Sequence, residues 1–154
     1  MTLAWNCWAP SLVLTRANVK HTLDVSAELK NLAVIRHFVE DTAKGLGADP
    51  DAIEGLIQAV DESAANIILH GYGGRPGKIE VEIRPDGNAL VVCLRDQAPP
   101  FDPTRVPPPD LTLPLEERRL GGLGIYLTRQ FTDGMSHRIT SEGGNELTLR
   151  KKIR

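Results

Sequence analysis

One stretch, Ala59-Val-Asp-Glu-Ser-Ala-Ala-Asn66-Ile-Ile-Leu-His70-Gly-Tyr72, constrains the fold of this chain more than any other. Read as a helix, it sets Gln58, Glu62, Asn66 and His70 four apart, in one slowly drifting polar row. Ile53, Leu56, Ile57, Val60, Ala64, Ile67 and Ile68 fall on the opposite side as a broad apolar stripe that must face a core. Gly55 and Ala59 lie beside the row and keep it low. A face meeting only water would carry lysines and several glutamates. One carboxylate, two amides, an imidazole and two very small residues make the wall of a ligand site instead.

Such a helix needs a second layer to cover its stripe, and the flanking sequence supplies it. His21-Thr-Leu-Asp-Val25 alternates as a strand does, and Ser26 offers an N-cap to a helix that ends near Gly45 and Gly47. Asp49 caps the polar-row helix, with Pro50 at its first position, and that helix runs to about Gly71. Lys78-Ile-Glu-Val-Glu-Ile83 alternates strictly, Pro85-Asp-Gly87 turns, and Ala89 to Asp96 returns as a more buried strand. A proline-rich loop carries Pro99, Pro100, Pro103, Pro107, Pro108, Pro109 and Pro114 before Gly121-Gly-Leu-Gly124 opens a third helix, to about Phe131. Two strands, 135–141 and 146–153, close the chain around Gly143-Gly144. The order predicts an α+β two-layer sandwich: a mixed, mostly antiparallel sheet with the helices grouped on one face.

At 154 residues the chain is one domain, expected over 20–154, with an extension over 1–19 that holds Trp5, Trp8 and Leu12-Val-Leu14. That extension reads either as an appendage with no structural role or as an arm for a partner or a second copy. A net charge of −2, with both signs interspersed, gives no case for nucleic acid or an anionic membrane. Two cysteines, Cys7 and Cys93, are too few for a disulfide framework, and no apolar run approaches the roughly 20 residues of a membrane span. The start resembles no signal peptide. A cytoplasmic location is expected.

Two further motifs bear on chemistry. Asp96 shares strand parity with Leu90, Val92 and Leu94, so it points to the helix-covered side and needs a partner there. An adenine amino group would serve, and so would the aspartate's own turn. Gly121 to Gly124, at the start of a helix, lets backbone N–H groups approach an anion closely. No Ser or Cys nucleophile is paired with a histidine, and no cluster has zinc-like spacing.

Glu62-x-x-x-Asn66-x-x-x-His70-Gly-Tyr72, Asp96-x-x-x-Pro100-Phe101-Asp102-Pro103 and Gly121-Gly-Leu-Gly-Ile-x-Leu127 resemble the N, G1 and G2 boxes of the GHKL (Bergerat) ATP-binding fold. Within that superfamily the chain is most similar to bacterial anti-sigma-factor serine/threonine kinases, over roughly residues 20–154. The resemblance implies ATP and Mg²⁺ as cofactors. It implies that Asn66 holds the Mg²⁺, that Glu62 is the general base, and that Asp96 accepts from the adenine amino group. Gly121, Gly122, Leu123 and Gly124 would face the phosphates, with Ala98 and Phe101 around the base. The loop from Pro100 to Leu120 corresponds to the ATP lid, from which Arg118 or Arg119 would reach the γ-phosphate. His70 matches a position near the phosphates and could equally cap its helix.

The implied activity is phosphorylation of a STAS-domain anti-anti-sigma partner, controlling the availability of a sigma factor. A homodimer through the first helix and its neighbouring strand is also implied. One residue departs from the pattern: Ala98 stands where the family has glycine. That departure keeps open an alternative, a nucleotide-binding interaction module with weak or no kinase activity. A two-component histidine kinase is disfavoured, because His21, His37, His70 and His137 follow no phospho-accepting helical hairpin.

Overall fold

A computed structural model describes residues 19–117 and 122–153. Strands β1 (His21–Ser26), β2 (Lys78–Asp86), β3 (Ala89–Asp96), β4 (Gly134–Ile139) and β5 (Asn145–Lys152) form one sheet in the order β1-β2-β3-β5-β4. Every pairing among them is antiparallel, so the expected sheet carries no parallel pair among the described residues. Helices α1 (Leu32–Gly45), α2 (Pro50–Asn66) and α3 (Gly122–Phe131) accompany it. No helix among the described residues is long and apolar enough to cross a membrane.

The core forms where two periodicities meet. Ile35, Val39 and Ala43 of α1, with Leu56, Val60 and Ala64 of α2, recur at helical spacing. They pack on Val81, Ile83, Leu90, Val92, Leu94 and Leu149, which alternate along the strands, and all of these residues are at most 1% exposed. Asp49 caps α2 by accepting from the Ala52 N–H at 2.7 Å, with Pro50 at the first helical position.

Local details differ from the sequence reading. Ser26 ends β1 and caps no helix: its Oγ donates to Glu28, while Asn31 Nδ2 donates to both its carbonyl and its hydroxyl. A short 3₁₀ turn, Leu29–Asn31, therefore precedes α1. Gly55 faces other elements of the fold. A Cβ on it would stand 3.1 Å from the Phe131 carbonyl oxygen and 3.2 Å from Lys151 Cε, so this glycine admits the end of α3 and strand β5. Beyond Asn66 the helix continues to Tyr72, but Ile67–Tyr72 is wound as a π-helix.

Candidate functional site

A cavity of about 870 Å³ opens between α2 with its π-helical extension, α3, and the proline-rich loop, above the ends of β3, β5 and β4. That volume is typical of small-molecule sites. Ile67, Ile125, Met135 and Leu147 give it apolar walls.

Asp96, the last residue of β3, sits at its base and is 5% exposed. The turn reading holds for one of its oxygens. Oδ1 accepts from the Ala98 N–H at 2.9 Å, capping the turn, and from Asn145 Nδ2 at 3.0 Å. Among the described residues no donor is bonded to Oδ2, and Asp96 lines the cavity. Burial pushes its carboxyl above the usual aspartate range, against the bonds from Asn145 and Ala98.

Asn145, which lines the cavity, is a residue the sequence reading missed. It stands opposite Asp96 across the β3–β5 ladder. Its Nδ2 also donates to the carbonyls of Ala98 (3.2 Å) and Pro99 (3.3 Å), while Oδ1 accepts from the Phe101 N–H at 3.0 Å. The same Oδ1 lies 2.9 Å from His137 Nε2. An amide oxygen only accepts, so Nε2 carries the proton, and Nδ1 is left 3.8 Å from an Asp102 oxygen. The available signal was Gly144. A Cβ there would stand 2.1 Å from the Asp96 carbonyl, so only glycine lets β5 start beside Asp96.

The helix end is pinned to the sheet by Tyr72. Its hydroxyl donates to the Lys78 carbonyl (2.7 Å) and accepts from the Gln97 N–H (2.8 Å), while its ring fills the space a side chain on Gly77 would need. Gly71 does a different task. A Cβ on it would stand 3.1 Å from the Ala98 methyl, so the extra carbon at position 98 is accommodated by glycine at position 71.

The polar row divides. Asn66 and His70 line the cavity with Ser63, Ile67 and Gly71, whereas Gln58 is exposed elsewhere. Ile67, assigned to the core stripe by α-helical spacing, reaches the cavity because the π turn displaces the rows that follow it. Glu62 packs against the first turn of α3. A Cβ on Gly124 would stand 2.7 Å from Glu62 Oε2 and 3.8 Å from Asn66 Nδ2. A carboxylate, an amide and a helix N-terminus thus converge, with Gly122 buried at the cavity wall and Leu123 37% exposed. Phe101 is exposed at the opposite rim. Gly121, Arg118 and Arg119 lie outside the described residues.

The loop after β3 is held from below by Arg129 of α3. Its guanidinium donates to the carbonyls of Thr104 (2.5 Å), Val106 (3.1 Å) and Pro103 (3.4 Å). Among the described residues no three His, Cys, Asp or Glu side chains cluster as a metal cage. A divalent cation beside Asn66 would draw on phosphate oxygens and water for its remaining ligands, as Mg²⁺ commonly does.

The sequence profile described as the histidine kinase-like ATPase domain matches residues 25–151. Proteins named serine-protein kinase RsbW, from Bacillus cereus strain AH820 and from Bacillus anthracis, are each 28% identical over 138 residues, covering 87% of this chain and 85% of theirs. The fold is similar to that in the crystal structure of the RsbU and RsbW domains of Rv1364c from Mycobacterium tuberculosis. The TM-score is 0.60 at 16% identity, over 86% of this chain, which spans 32% of that longer one.

Proposed function

The chain belongs to the histidine kinase-like ATPase domain family, and from that premise we propose that it is an anti-sigma-type serine/threonine protein kinase that binds Mg·ATP. Its substrate in this reading is a STAS-domain anti-anti-sigma protein, and the outcome is control of a sigma factor in the cytoplasm. The observation that carries the reading is that Glu62 and the Gly124 turn meet beside Asn66, which lines the same cavity as Asp96.

Asp96 Oδ2 would accept from the adenine amino group, while Oδ1 stays with Asn145 and Ala98. The apolar walls and Phe101 flank the base. N–H groups of Gly122, Leu123 and Gly124 would donate to phosphate oxygens, where the helix N-terminus favours negative charge. Asn66 would hold Mg²⁺, whose charge would offset that of the phosphates. Glu62 accepts the proton of the attacking hydroxyl. His70, which lines the cavity, would face the phosphates. Positioning and charge complementarity are what phosphoryl transfer requires of a protein.

The alternative of a binding module without transfer drew on Ala98. Gly71 leaves room beside the Ala98 methyl, and Ala98 also lines the cavity, so this second reading stands beside the first.

Calorimetric titration with ATP and ADP, with and without Mg²⁺, tests the binding step, and saturable Mg²⁺-dependent binding is expected. Transfer of labelled phosphate to a STAS-domain protein tests the reaction. Glu62→Ala is expected to keep nucleotide affinity within about threefold and to lose transfer by roughly 10²-fold or more. Unchanged transfer would remove Glu62 from its role.

A further inference from the structure

His137 is a titratable side chain of the cavity that the proposed reaction leaves unused. Strand pairing places it in the row Leu94–Leu147–His137, next to the row Val92–Leu149–Met135. The other members of both rows are apolar and belong to the core or pack against it. The imidazole lines the cavity and is 5% exposed. A leucine there would have no polar atoms to desolvate, so the reason for a histidine lies in its hydrogen bond.

That bond goes to one acceptor. Nε2 lies 2.9 Å from Asn145 Oδ1, whereas Nδ1 meets Asp102 at 3.8 Å, beyond hydrogen-bond reach. A side-chain amide has two orientations of opposite chemistry. In the one observed, Asn145 Nδ2 faces three oxygens, those of Asp96, Ala98 and Pro99. Its Oδ1 faces two N–H groups, those of Phe101 and His137. Turned over, oxygen would face oxygen and N–H would face N–H. The Phe101 donor comes from the loop, while the His137 donor is fixed to the sheet on the strand beside Asn145.

We propose that His137 is a positioning residue for the base end of the cavity. By holding the Asn145 amide in this orientation, it keeps Asp96 Oδ1 engaged and leaves Oδ2 for a ligand that carries an amino group. The identity of that ligand rests on the adenine-nucleotide reading above; the positioning rests on the hydrogen bonds alone.

Two measurements on the full chain separate these. In the nucleotide-free protein, His137→Leu is expected to speed amide exchange at Ala98 about fivefold or more. His137→Gln, whose amide nitrogen reaches the place of Nε2, should hold it near the parent rate. With nucleotide, the parent should prefer ADP to purine riboside diphosphate, which lacks only the amino group. His137→Leu should narrow that preference about fivefold or more, and His137→Gln about twofold or less. Should His137→Leu fail to fold, His137→Asn, with an amide too short to reach Asn145, is the second loss variant. Parent-rate exchange at Ala98 in the loss variant overturns the proposal. Equal weakening of both nucleotides with the preference intact also overturns it, in favour of a packing defect. A parent that binds neither nucleotide removes the nucleotide reading instead, and exchange at Ala98 then decides the positioning by itself.

Discussion

Ala98 and Gly71 are a matched pair: each is small because the other is close. Restoring a methyl at position 71, at 3.1 Å from the one at 98, overpacks the junction of helix and strand. Gly71→Ala is expected to cost about 1–3 kcal/mol in denaturant titration, and adding Ala98→Gly should recover most of it. Purely additive effects would show that the two sites do not interact. Asn145→Ala should lower stability by about 1–3 kcal/mol, because it strips partners from the Ala98 and Pro99 carbonyls and the Phe101 N–H. Asp96 gives a pH signature with two opposed signs. Its folded pKa is raised, so on acidification it takes up a proton in the folded state first, and this residue's contribution to stability improves as pH falls through the raised value. In the proposed reading nucleotide affinity moves the other way, since a protonated carboxyl loses acceptor strength. Calorimetry from pH 7 downward should show affinity falling before the ordinary aspartate range is reached, and Asp96→Asn should abolish that dependence.

At the scale of elements, the π-helical extension and the loop after β3 both depend on single side chains reaching across from another element. Tyr72 joins the end of the helix to β2 and to the turn after β3 through one hydroxyl. Tyr72→Phe keeps the ring over Gly77 and leaves the Lys78 carbonyl and the Gln97 N–H without it. A loss of about 1–3 kcal/mol is expected in thermal or chemical unfolding, with amide exchange at Gln97 accelerated. Arg129 is the corresponding clamp for the loop. Arg129→Ala should speed proteolysis between residues 103 and 110 and weaken nucleotide binding, with little change in far-UV circular dichroism. Proteolysis at the parent rate would mean the loop is ordered by its prolines alone.

For the whole molecule, periodicity was enough to read the architecture. Alternation in Lys78–Ile83 and Ala89–Asp96, and the stripe of α2, specify which faces are apolar, and two such layers have few ways to cover each other. The cavity was legible in part. Asp96, Asn66 and His70 were visible because their chemistry is out of place on the faces they occupy. Asn145, Tyr72 and Arg129 were not, because their partners lie 49, 25 and 26 or fewer residues away in sequence. The Arg95–Glu146–Arg138 network has a global consequence. Arg138, then Arg95, holds the Glu146 carboxyl below its usual range against burial. That stabilisation is complete above the ordinary glutamate pKa and is lost as pH falls through the lowered value. Acid unfolding of Glu146→Gln should therefore show a shallower dependence on pH in that window.

The amino-acid sequence by itself determined the two layers, the helix boundaries at Asp49-Pro50, and the three motifs that mark the family. Those follow from local spacing, which a side chain carries wherever its element ends up. Only the tertiary structure decided that β5 lies between β3 and β4, and that order brings Asn145 beside Asp96. It also decided that Glu62 meets Gly124 and that Gly71 meets Ala98. Periodicity assigns each residue a face. Which faces touch, and at what register, is settled by how the layers pack.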